Sequence, residues 1–252
     1  MNKRIIPLLL ILVGCSTPQE PQITPPQPHF IPTSIPPDPV DRGIYADVDP
    51  NTNAIWIEWQ MDSSRATTGY ILRRATDPAI GPDGILADSA RIVAQLETTD
   101  QTIEPLPTSY RDTAAILPGA TFWYQLQAYH RSPTGTLTYS TPTPVDVTTS
   151  FHYTNPVIPL SPNGPTKPPP TGQTFSWQDP EDGDSFQIIV ERLDSERYVW
   201  SERLSEFSNQ PIVNYPDSAE RLAPNGQYRW RVKRIITHGG SSSRWSSFSI
   251  LP

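Results

Sequence analysis

Proline placement constrains this chain most, because proline fixes φ and cannot donate a backbone hydrogen bond. Of 31 prolines, 16 fall in two runs, residues 18–39 and 156–170. That density excludes a helix bundle. Seven tryptophans exclude the opposite extreme, a wholly disordered chain. The runs punctuate two blocks of roughly 100 residues each, a common size for a β-sandwich. The net charge of −7 argues against a nucleic-acid partner.

The amino terminus carries its own signal. Lys3 and Arg4 form a basic head, and residues 5–13 form an apolar run. Spanning a bilayer takes about 20 apolar residues, so this run reads as a signal-peptide core. Leu12-Val13-Gly14-Cys15 then resembles the lipobox of bacterial lipoproteins. The resemblance implies removal of residues 1–14 and acylation of Cys15, with several acyl chains giving a durable membrane anchor. Ser16 stands where many inner-membrane lipoproteins carry Asp, which implies the outer membrane in a cell with two. Cys15 is also the sole cysteine, so no intramolecular disulfide and no cysteine-rich metal site is expected. Residues 15–39 read as a proline-rich, disordered tether in extended polyproline II. At about 3.1 Å per residue it could hold a domain roughly 75 Å from the lipid.

The two blocks share a pattern. In the first, Ile55, Ile57 and Trp59 alternate on one face, residues 70–73 form a second strand, and Phe122, Tyr124 and Leu126 line a later one. In the second, Phe175 and Trp177, then residues 186–190, then Tyr228, Trp230 and Val232 repeat this order. Aligning Ile116 with Leu222 sets Pro118 on Pro224, Tyr124 on Trp230 and Leu126 on Val232. The longer first block places its extra residues in the polar loop 77–90. A tryptophan in an early strand, a tyrosine approach, and Leu222-x-Pro224-x-x-x-Tyr228-x-Trp230-x-Val232 resemble the core signature of fibronectin type III domains. The resemblance covers residues 40–150 and 155–252. It implies an all-β chain of two tandem immunoglobulin-like antiparallel sandwiches, with Trp59, Tyr124, Trp177, Tyr228 and Trp230 in the cores. Phe122 departs from the pattern, since the tyrosine at that place in the family bonds nearby backbone through its hydroxyl. The alternating short segments between Gly/Pro/Asn turns support the same class independently.

Arg229, Arg231 and Lys233 alternate opposite the predicted core face. The stretch ending Arg244-Trp245-Ser246 resembles the Trp-Ser box of cytokine-receptor sandwiches, which implies Trp245 stacked on Arg229 or Arg231. Each such exposed contact is worth about 0.5–1 kcal/mol.

Chemistry is sparse. His29, His130, His152 and His238 have no metal-type spacing, and no nucleophile or phosphate-loop motif is present. Asp179, Glu181, Asp182 and Asp184 could offer carboxylates to Ca²⁺, or simply form a turn. Trp56 and Trp123 alternate with core positions and are expected to face outward, as ligand contacts or under a neighbouring arginine. Phe151-His152-Tyr153 could wedge the two blocks together. The expectation is a lipid-anchored, non-enzymatic envelope protein without cofactor, bound to the membrane and to an unknown envelope protein, or serving as a spacer. The alternative is a glycan-binding accessory of a polysaccharide-handling system.

Overall fold

A computed structural model describes residues 22–49, 52–60, 66–87, 90–98, 105–167, 172–181, 185–205 and 211–252. The expected signal sequence, Cys15 and the first part of the expected tether lie outside these. The first block supplies β1 (Ile44–Asp49), β2 (Thr52–Glu58), β3 (Gly69–Ala75), β4 (Arg91–Glu97), β5 (Ser109–Asp112), β6 (Ala120–Arg131), β7 (Leu137–Tyr139) and β8 (Ser150–Tyr153). The second supplies β9 (Ile158–Ser161), β10 (Gly164–Thr166), β11 (Thr174–Gln178), β12 (Ser185–Arg192), β13 (Arg197–Ser205), β14 (Ile212–Asn214), β15 (Gln227–Ile236), β16 (Gly239–Ser242) and β17 (Ser246–Ile250). The chain is all-β. Among the described residues the single helical turn is a 3₁₀ turn at Val147–Thr149, capped by Asp146, and no helix is long and apolar enough to cross a membrane.

The strands do not divide as two separate antiparallel sandwiches. Two small sheets, β1-β2-β5 and β14-β11-β9, accompany one curled mixed sheet of 11 strands. Strand pairing runs through that sheet from the second block into the first, because β8 pairs with both β6 and β16. The β8–β16 contact is parallel, with His152 opposite Gly239 and Tyr153 opposite Gly240. Glycine permits it: a Cβ on Gly239 would lie 2.2 Å from the His152 carbonyl oxygen.

Two apolar cores remain distinct within this framework. One joins Ile55, Ile57, Trp59, Tyr70, Leu72, Tyr124 and Leu126. The other joins Phe175, Trp177, Phe186, Ile188, Tyr228, Trp230 and Val232. Trp59, Tyr124, Trp177, Tyr228 and Trp230 are all buried. At about 25 cal/mol per Å² and roughly 200 Å² per ring, each large aromatic contributes about 5 kcal/mol of burial. The Tyr228 hydroxyl accepts from the Ala223 N–H at 2.8 Å, tying down the preceding loop. Phe122 has no hydroxyl to do this. The corresponding loop is held instead by Gly119 N–H donating to Tyr153 O at 2.7 Å and Asn53 Nδ2 donating to Ile116 O at 3.2 Å.

The expected tether is corrected from residue 22 onward. Residues 22–42 form a strap against the sheets rather than a free chain. Thr138 donates to the Ile23 carbonyl, and Gln27 donates to the Pro142 carbonyl at 2.6 Å. Phe30 bridges Trp59, while Ile31 N–H donates to Glu58 O and Gln60 N–H to His29 O. Pro25 and Pro28 are buried. Proline suits such a strap because its fixed φ lowers the entropy lost on docking.

Candidate functional site

The strap and the β8–β16 contact converge where the two blocks meet. Here the strap turns, Ser34 N–H donating to Arg42 O at 3.3 Å, and its tip lies on the outer face of the second block. Ser201 donates to Pro37 O at 2.7 Å and Gln187 to Asp38 O at 2.8 Å. Asp41 then meets the outward cation row of β15. Arg231 donates to it at 2.8 Å, and Lys233 pairs with its other oxygen. All three side chains are no more than 13% exposed, so the pair sits where screening is weak.

One carboxylate against two buried cations leaves an imbalance. Burial and the neighbouring Arg231 pull the Lys233 ammonium down to about 8, against the restoring pull of Asp41. Tyr45, beside this junction, is pushed upward by burial and by Glu58. Further along the row, Trp245 lies between two guanidinium groups, 4.4 Å from Arg229 and 4.6 Å from Arg231. Glu191 accepts from Arg229 at 2.9 Å. The resulting line runs Glu191, Arg229, Trp245, Arg231, Asp41, Lys233. It joins the stacked Trp-Ser element directly to the strap, and Asp41 and Glu191 are the members that sequence reasoning missed, because their partners lie far along the chain.

Beneath the strap is a cavity of about 600 Å³, lined by Phe30, Ile31, Ile35, Phe151, Lys233 and Ile235 among others. Sites that hold small molecules fall in this size range and favour such junctions. Of the cations that line it, Lys233 is paired with Asp41 and Arg234 with Asp179 and Glu181, while Arg203 donates to Ser185 Oγ at 3.0 Å.

Asp179, at the start of the acidic stretch, is turned inward. Asp179 and Glu181 both pair with Arg234, whose side chain is 2% exposed. Two of the four carboxylates proposed for Ca²⁺ are thus engaged by a guanidinium, while Asp182 and Asp184 lie outside the described residues. Among the described residues no group of three or more His, Cys, Asp or Glu is placed to hold a metal ion.

Trp56 and Trp123 are half-buried, and neither belongs to an apolar core cluster. Trp56 sits in β2 between Tyr45 and Arg111. Trp123 sits in β6 between Ala75 and Ser150. They belong to different sheets and form no common stacking platform. The outer side of β6 is also roofed by the loop after β3: Gln125 donates to Gly84 O at 2.8 Å and accepts from Leu86 N–H at 3.0 Å. The histidines are dispersed, His130 Nδ1 lying 2.9 Å from Ala66 O and His152 Nδ1 2.8 Å from Thr121 Oγ1.

Sequence reasoning also missed a buried polar triad in the first core. Arg74 donates to Asp112 at 2.6 Å and Tyr124 donates to the same oxygen at 2.9 Å. The Arg74 guanidinium also lies 4.9 Å from the Phe122 ring. Burial, then the Asp112 charge, pushes the Tyr124 phenol well above its usual range. The signal was present: Arg74 follows Tyr70 and Leu72 at inward spacing, and only a partnered charge is stable there.

Compared with protein-family models and with curated proteins, the sequence matches none.

Proposed function

We propose that this chain is a lipid-anchored cell-envelope protein whose two fibronectin type III-like sandwiches work as one stiff, non-catalytic unit for display or spacing. The observation that carries this reading is the double fastening of the blocks, by the β8–β16 strands and by Asp41 on Arg231 and Lys233. A flexible pair of modules needs neither fastening; a spacer needs stiffness. The sandwich reading is supported by the two separate cores, each lying between a three-stranded sheet and part of the large one. The anchor reading rests on the lipobox-like residues ending at Cys15. The outer membrane is favoured by Ser16.

Membrane partition of the full-length chain against its Cys15→Ala form tests the anchor. If the variant stays with membranes, the lipid is not what holds the protein. Capture of envelope proteins on the soluble Cys15→Ala chain, run beside a glycan panel, tests the partner class. Selective glycan retention that Trp56→Ala or Trp123→Ala abolishes at unchanged stability would replace the protein-contact reading.

A further inference from the structure

The strap fixes which end of the molecule faces the membrane. If Cys15 carries the acyl chains, the free tether is not 25 residues long. The first described strap residue is Gln22, beside β7, with the next carbonyl already accepting from Thr138. Seven residue steps separate Cys15 from Gln22, and an extended chain spans at most about 3.6 Å per residue. The lipid and the β6–β7 end of the first block are therefore within about 25 Å of each other, not the roughly 75 Å a tether to residue 39 would allow.

The surface at that end suits the position. Residues 132–145, which include the β6–β7 hairpin and β7, contain no charged side chain in a chain of net charge −7. A hairpin carrying acidic side chains so near anionic headgroups would be repelled; residues 132–145 carry none. Ile23 and Tyr139 are 43% and 45% exposed there, and tyrosine is favoured at the membrane–water boundary. Arg131, at the base of the hairpin, is neutralised by Glu97 at 2.6 Å.

Register places the other end far away. The first block's hairpin follows the carboxyl end of β6, while β8 meets β6 at its amino end. In the second block the Arg192–Tyr228 end of β12 and β15 is remote from the contact at Gly239. At about 3.3 Å per residue, roughly 60 Å of strand path separates Arg131 from the β12–β13 turn.

We infer that the β6–β7 end of the first block lies on the bilayer surface, and that the β12–β13 turn of the second block is the membrane-distal tip. The inference rests on the anchor reading above. Once Cys15 is acylated, an engineered cysteine is the only free thiol, so the native, lipidated chain can be labelled at one place. Thr134→Cys and Ser195→Cys, both at exposed positions, are each labelled with a donor fluorophore. The labelled proteins are inserted in phosphatidylcholine–phosphatidylglycerol vesicles containing headgroup-acceptor lipid. Quenching is expected to be several-fold stronger at Thr134→Cys than at Ser195→Cys. A 24-residue Gly/Ser insertion after Ser16 should remove most of that difference. Mass spectrometry of the Cys15 peptide and flotation are read in parallel. Absence of acyl adduct and of flotation overturns the anchor reading, and the orientation with it. Adduct and flotation with equal or reversed quenching overturn the orientation alone.

Discussion

Asp41 and Arg231 form a 2.8 Å ion pair across 190 residues of chain, and Lys233 shares the same carboxylate. The pair closes the strap over the junction. Replacing Asp41 by Asn strands two buried cations. Removing one partner of a buried ion pair typically costs about 3–5 kcal/mol. Asp41→Asn should therefore lower the urea midpoint clearly and admit protease within residues 34–42. Equal stability and equal digestion would show that the strap is not fastened at this residue.

Lys233 gives the same junction a pH signature. Its folded value, about 8, lies below the ordinary lysine value of 10.5. Between these values the unfolded chain holds a proton that the folded chain has released. Stability from this group therefore rises with pH across roughly 8 to 10, by up to about 3 kcal/mol at 1.36 kcal/mol per unit. Below pH 8 both states are protonated and the full penalty of the buried charge is present. Two tyrosines act oppositely at higher pH: desolvation raises the buried Tyr153 and the half-buried Tyr215 to about 12, so their contribution falls once the unfolded phenols ionise near 10. The check is the difference in unfolding free energy between wild type and Lys233→Met from pH 7 to 9.5. That difference should shift in favour of wild type as pH rises; a flat difference would remove the depressed lysine.

How much of this was readable from sequence depends on the range of the interaction. Trp177, Trp230 and Tyr228 could be placed because strand alternation is local and their neighbours two residues away share their face. The Trp245 stack was legible through the alternating row of cations. The strap was not: residues 22–39 show no apolar period, and their docking depends on single carbonyls meeting Thr138, Gln187 and Ser201 from distant strands. The fusion of the sheets was hidden for a related reason. It depends on the absence of a side chain at Gly239, and a missing side chain leaves no hydrophobic signal.

The triad in the first core makes a sharper stability test. Asp112 is fully buried and accepts from both Arg74 and Tyr124. Asp112→Ala should cost about 3–5 kcal/mol, because the Arg74 charge then has no counter-ion. Tyr124→Phe removes one hydrogen bond to a charged group and should cost about 1.5–3 kcal/mol. Arg74→Met combined with Asp112→Leu should recover much of the loss, since both charges leave together. Chemical denaturation of the four proteins decides it; a double variant as unstable as Asp112→Ala would mean that shape, not charge, is what the pair supplies.

Trp245 tests the stack. It lies within 4.6 Å of two guanidinium carbons, at about 0.5–1 kcal/mol per contact. Trp245→Ala should cost about 1–2 kcal/mol, and Trp245→Leu nearly as much, because the aliphatic chain restores area but no ring quadrupole. The coupling should appear in a double-mutant cycle with Arg229→Met. If Leu fully rescues stability, the contact is simple apolar cover.

Gly239 controls whether the two blocks move together. A Cβ there would meet the His152 carbonyl oxygen at 2.2 Å and the His152 backbone nitrogen at 2.9 Å. These are backbone atoms, so no side-chain rotation relieves the clash. Gly239→Ala should therefore open the β8–β16 pairing and its flanking bonds, His152 N–H to His238 O at 2.9 Å and Thr154 N–H to Gly240 O at 3.1 Å. Neither apolar core uses Gly239, so near-ultraviolet dichroism should change little. Asp41 still ties the strap to β15 in this variant. Scattering should show a modest expansion for Gly239→Ala alone and a larger one when Asp41→Asn is added, with one unfolding transition becoming two. A single cooperative transition in the double variant would mean that other contacts, such as β1 against β16, suffice to hold the blocks as one body.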